Sequence, residues 1–169
     1  MVELAVREDK RELIIENAVS VFAKTGYYKS TTAMVAKAAG VTQPYVFHFF
    51  ENKEELFKAV LEHAFSRIYD TFSEVEAPAD QLIETMGHGF SQIIQTHRDE
   101  VLMVMQAYTV SEVSIREHVR KLYLNIFESL ALKMEKAGVP NAKGTASHFI
   151  ATGLLITLAE VLNLPELLC

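Results

Sequence analysis

Apolar residues recur along nearly the whole chain at steps of three and four, and strict two-residue alternation is almost absent. The pattern predicts helices and no sheet. Asp9 with Glu12 three residues on forms a capping-box pattern that opens a first helix. Leu13, Ile14, Ala18, Val21 and Phe22 line one face of it, and Gly26 supplies a left-handed stop. Thr31 caps a second, short helix carrying Val35, Ala36 and Ala39. Ala39, Gly40, Val41 and Thr42 then make a tight turn in which Gly40 suits a positive φ, and Thr42 caps a third helix reaching Phe49. Pro44 falls in the first turn of that helix, where a missing amide hydrogen does little harm, and the Thr42 hydroxyl is left to seek the amide of Tyr45.

Asn52, with Glu55 three residues later, caps a fourth helix whose apolar face runs through Leu56, Phe57, Val60, Leu61, Ala64, Phe65, Ile68 and Phe72 to about Glu74. Ala77 to Asp80 breaks the pattern. Four further helices follow: Gln81 to Thr96, Asp99 to about Val110, Ser114 to Ala137 and Lys143 to Leu162. Gly138, Val139 and Pro140 end the third of these, and Pro165 follows the last. The expected fold is all-α, with a three-helix head in residues 1–52 and a helical body in residues 53–169.

Half of the 169 residues are hydrophobic, enough for a sizeable core. The longest apolar stretch, Phe149 to Leu158, is too short for a membrane span, so no membrane partner is expected. The first ten residues lack the apolar run of a secretory signal. The one cysteine, Cys169, has no internal partner, which suits a reducing cytoplasm.

A net charge of −6 argues at first against nucleic acid, but the distribution reverses that argument. Residues 1–60 carry eight cations and eight acids, so the whole deficit lies in the C-terminal part. Asn17 to Phe50 contains no acid, yet holds Lys24, Lys29, Lys37 and His48. An acid-free stretch in an acidic protein is what a phosphate-facing surface needs.

Two short helices joined by Ala39 to Thr42 fit a helix-turn-helix, whose second helix enters the major groove. Thr42, Gln43, Tyr45 and His48 stand at the groove end. Gln43 can pair bidentately with adenine and Tyr45 offers a ring and a hydroxyl, while Val46 and Phe50 suit the head's own core. Lys53 opens a helix, where the macrodipole disfavours a cation unless a phosphate binds beside it. Simple solvation of Lys53 explains its position equally well.

Residues 9–57 resemble the DNA-binding head of the TetR family of bacterial transcriptional regulators. The likeness runs through Ala18, Phe22, Gly26-Tyr27-Tyr28, Ser30-Thr31-Thr32 and Val35 to Thr42, then Phe47 to Phe50, Lys53 and Leu56-Phe57. It implies that Thr31, Thr42, Phe47, His48 and Lys53 lie at backbone-contacting positions and that Gln43 and Tyr45 read bases. Phe47 departs from the family's usual tyrosine and brings no hydroxyl, and Pro44 and Tyr45 stand where small residues are common.

The resemblance further implies a homodimeric repressor with a ligand-binding and dimerisation body, released from a double-stranded DNA operator by a small-molecule effector. Phe149, Ile150, Gly153, Leu154, Ile156, Thr157, Val161 and Leu162 make the last helix apolar on more than one face, as a sandwiched helix must be. Met86, Phe90, Met103, Tyr108, Tyr123 and Phe127 are candidate effector contacts, since methionine and aromatic side chains adapt to apolar ligands. Each of them taken singly reads more readily as ordinary core, since such residues at helical spacing usually are. Catalytic signatures are missing: there is no nucleophile elbow, phosphate-binding glycine loop or Cys-x-x-Cys. The histidines lack the His-x-x-x-His spacing of a helical metal site, so neither enzyme activity nor a metal or cofactor is expected. The competing reading is a helical small-molecule-binding protein whose head docks a protein partner, and the acid-free stretch speaks against it.

Overall fold

A computed structural model describes residues 2–168, which form eight α-helices and a closing 3₁₀ turn, with no strand among them. The helices are α1 (Val2–Lys29), α2 (Thr32–Ala38), α3 (Gln43–Phe47), α4 (Lys53–Ser73), α5 (Ala79–Thr96), α6 (Arg98–Ala107), α7 (Val113–Lys136) and α8 (Ala142–Leu162), followed by Pro165–Leu168. The all-α class and the N-terminal helix-turn-helix are as the sequence predicts. Cys169 lies outside the described residues.

Three local predictions need correction. The first helix does not start at Asp9; α1 runs back to Val2. Glu12 therefore caps nothing, and its carboxylate instead meets His63 Nδ1 at 2.7 Å. In α3, Thr42 is the N-cap, but its side chain makes no capping bond. The amide of Tyr45 donates to the Thr42 carbonyl at 3.0 Å, a turn that satisfies it without the hydroxyl. This helix also ends at Phe47 rather than Phe49.

The chain packs as two compact units. One comprises residues 1–66 and 102–119, the other residues 67–101 and 120–169. In the first, Ile14, Ala18 and Phe22 of α1 are wholly buried, as are Val35 of α2, Val46 of α3 and Leu56, Val60, Leu61 and Ala64 of α4. Phe57 meets Phe22 edge-on with centroids 4.9 Å apart and tilts against Tyr27 at 4.8 Å. Gly26 breaks α1 with φ 73° and ψ 166°, a combination open only to glycine; φ is positive as predicted, but ψ is extended rather than left-handed helical. Gln106 Nε2 donates to the Ala23 carbonyl just before this break, at 2.6 Å.

In the second unit Phe72, Leu82, Met86, Leu130, Ala131, Met134 and Ala146 form the core, with Phe127, Phe149 and Ile150 packed around it. Lys133 Nζ donates to the carbonyl of Ser73 at 2.7 Å and so caps the end of α4. α8 is long and apolar enough by length and composition alone to cross a membrane, and 17% of its most apolar window is buried. Leu154, Leu155, Leu158 and Leu162 are all exposed on it.

Candidate nucleic-acid interface

The helix-turn-helix is held in place by short-range chemistry. Thr31 Oγ1 accepts from the Met34 amide at 3.2 Å and fixes the start of α2. At the far end, the amides of Gly40 and Val41 donate to the carbonyls of Lys37 and Ala36, a Schellman pattern. That pattern needs the left-handed turn that Gly40 takes at φ 65°. A Cβ there would touch nothing, so conformation and not space makes this position glycine.

α3 then leaves the core almost at once. Val46 is its one buried side chain, while Gln43, Pro44, Tyr45 and Phe47 are exposed, as are Thr42 and His48 at its caps. Tyr45 and Phe47 leave 38% and 46% of their surfaces uncovered, which an ordinary surface helix would not do with two rings in five residues. Gln43 Nε2 donates to Thr32 Oγ1 at 2.8 Å. That bond uses one of the two amide hydrogens and leaves one N–H and the carbonyl oxygen, the donor–acceptor pair that adenine requires. Tyr45 lies parallel to His48 with centroids 6.3 Å apart and edge-on to Phe49 at 5.3 Å. Lys24, Lys29 and Lys37 are exposed, so the acid-free stretch presents its cations to solvent.

Lys53 has a role that sequence reasoning missed. Its ammonium donates to the carbonyls of Tyr27 at 3.0 Å and Ser30 at 3.3 Å and sits 4.4 Å from the centre of the Tyr27 ring. It thus ties the start of α4 to the end of α1, and one of its three hydrogens remains. No local pattern could have revealed partners 23 and 26 residues away.

Residues 102–119 add a second polar seam to the same unit. The Tyr28 hydroxyl lies 2.6 Å from Ser111 Oγ, donates to Glu112 at 3.0 Å and accepts from the Ser111 amide at 2.9 Å. Ser114 donates to Glu54, whose carboxylate also meets Lys58 at 2.9 Å; these bonds, Ser114 first, hold the Glu54 carboxyl below its ordinary range. Burial, aided by the Glu112 charge, pushes the Tyr27 phenol up.

The candidate effector residues divide between the units. Met103, fully buried, and Tyr108, 45% exposed, belong to the first. Met86, Phe90, Tyr123 and Phe127 belong to the second, where Met86 is core and Phe90 lies against Gly153 of α8. Among the described residues no three His, Cys, Asp or Glu side chains group closely enough to hold a metal ion.

Residues 14–60 match the family model of bacterial regulatory proteins of the tetR family. A fatty acid metabolism regulator protein of Bacillus subtilis is 26% identical over 154 residues, covering 87% of this chain and 74% of that protein. Two solved structures share the fold. The fatty acid degradation regulator FadR of Bacillus halodurans aligns at a TM-score of 0.76 and 18% identity, over 91% of this chain and 86% of its own. FadR of Bacillus subtilis, solved in complex with stearoyl-CoA, aligns at 0.66 and 22%, over 90% and 88%. With its helix-turn-helix inside the matched segment and its helical body aligned to these regulators, the chain has a head of the tetR-family type and is similar in fold to such regulators along most of its length.

Proposed function

We propose that the chain is a homodimeric repressor, working in the cytoplasm, that holds a two-fold DNA operator and is released by a small, largely apolar effector. The observation that carries this reading is α3, a helix that buries Val46 and turns Gln43, Tyr45 and Phe47 to solvent. Its size suits the major groove, and Gln43 is already oriented by Thr32. Thr31, Thr42, Phe47, His48 and Lys53 flank it as backbone contacts, and Gln43 and Tyr45 read bases.

Dimerisation through the body is supported by the second unit's own surface. Leu154, Leu155, Leu158 and Leu162 of α8 are exposed beside one another in sequence register, and Leu124 and Leu132 of α7 are exposed too. A soluble monomer rarely leaves such a stripe uncovered. Thr152, Glu160 and His148 are exposed on the same helix, which fits a protein partner better than lipid. A second copy supplies that cover and brings the second head that a two-fold site requires. For the effector, the relatives' names, a fatty acid metabolism regulator and a complex with stearoyl-CoA, point to a molecule carrying a long acyl chain.

Binding to a selected duplex and to random DNA, followed by fluorescence anisotropy, tests the DNA reading. Gln43→Ala or Tyr45→Ala is expected to lower the preference for the selected site by about 10-fold or more, the worth of one good base contact. Lys53→Ala is expected to weaken both duplexes by a similar factor and to lower thermal stability as well, because two carbonyls lose their donor. A wild-type protein with no preference between the duplexes would sink the reading.

A further inference from the structure

Positions 7, 11, 14, 18 and 22 of α1 follow at steps of three and four and so form one stripe along the helix. At 14, 18 and 22 the stripe is Ile, Ala and Phe, all fully buried. At 7 and 11 it is arginine, and both side chains are exposed. The surface facing the two arginines is aromatic. The Arg11 guanidinium lies 5.2 Å from the centre of the Phe50 ring, and that of Arg7 lies 5.9 Å from the centre of Phe49. Phe49 in turn stands edge-on to Tyr45 and to His48.

An apolar residue would have prolonged the core at these two positions, and a lysine would have carried the same charge. What arginine adds is a flat group that stacks by its faces and keeps five N–H donors around its edge. Among the described residues no carboxylate and no hydrogen-bond acceptor engages either guanidinium; the near acid Glu12 is turned to His63. Stacking therefore holds two forks, unpaired among the described residues, beside the helix that carries Tyr45. A planar fork held in place suits the paired oxygens of a phosphate.

We infer that Arg7 and Arg11 grip the DNA phosphate backbone alongside α3, extending the interface onto the first turns of α1. This inference rests on the DNA-binding reading above. Backbone contacts carry no sequence information, so their loss is uniform across sequences and appears in the salt dependence.

The test uses the full chain and a random-sequence duplex of about 30 base pairs, with affinity measured over a salt series. Arg7→Gln with Arg11→Gln is expected to bind about 10- to 100-fold more weakly and to flatten the log–log salt slope by about 2, one for each lost contact. Arg7→Lys with Arg11→Lys is expected to keep most of the slope, because the charge remains. Circular dichroism confirms that each variant stays helical; if the double glutamine variant does not, Arg7→Gln alone is expected to flatten the slope by about 1. A folded glutamine variant with unchanged affinity and slope overturns this inference and leaves the DNA-binding reading intact. A wild-type chain that binds no duplex even at low salt overturns both.

Discussion

Phe57→Ala is expected to destabilise the N-terminal unit by about 3–5 kcal/mol, the usual cost of deleting a buried ring. Only 1% of Phe57 is exposed, and its ring meets both Phe22 and Tyr27 within 5 Å. The pocket it leaves lies between α1 and α4, and two stiff, hydrogen-bonded helices packed on other core residues collapse into it only in part. Against a total stability of roughly 5–15 kcal/mol, such a loss lowers the melting temperature by on the order of 10 °C and leaves much of the head unfolded on warming. Tyr27 would lose its packing at the same time, and with it the ring over which Lys53 sits. Phe47→Ala is the matched control: the same atoms are removed from a ring that is 46% exposed, and the expected cost is below about 1 kcal/mol. Thermal unfolding of the two variants, followed by circular dichroism, reads the difference. Equal losses would mean that the core assigned to the head is wrong.

The second large effect belongs to α8. Leu154→Asp with Leu158→Asp places two carboxylates on the exposed apolar stripe, where a second copy would have to bury them unpaired. Neither position is part of the second unit's core, so the variant is expected to fold. Its mass by light scattering is expected to fall from dimer to monomer. DNA binding is expected to weaken by about 10²- to 10⁴-fold, since a lone head loses the effective concentration its partner conferred. A wild-type chain that is already monomeric, or a double variant that remains dimeric, would show that this stripe serves some other contact.

How far these assignments could be read from residues alone depended on the distance over which each was decided. Helix existence was local, and the periodicity of α4 through Phe72 and the stops at Gly26, Gly40 and Gly138 all marked real boundaries. The start of α1 was concealed because its stripe changes chemistry without changing register. Below Ile14 the positions in the same register become Arg11 and Arg7, both exposed, so hydrophobic periodicity fades while the helix continues to Val2. Thr42 was placed rightly and bonded wrongly, because the hydroxyl competes with its own residue's carbonyl, and the carbonyl wins at 3.0 Å.

The candidate site shows the same division. That α3 faces outward was legible, since Val46 alone suited a core among polar and aromatic neighbours. The bond from Gln43 to Thr32 spans eleven residues and depends on the angle of the turn, which no residue pattern states. The seam from Tyr28 to Ser111 and Glu112 crosses more than eighty residues and brings the segment 102–119 into the head's unit. Methionines and aromatics at helical spacing look alike whether they fill a core or line a pocket. Met86 and Met103 could therefore be named as apolar and adaptable but not assigned to their separate units.

Retention of genomic DNA fragments by the purified full-length chain, read out by sequencing, bears most directly on the claim that α3 reads base edges. The account predicts enrichment of a shared two-fold sequence, with half-sites separated by about one helical turn or a multiple of it, and a steep loss of retention as salt rises. A retained pool indistinguishable from the input at low salt would contradict it.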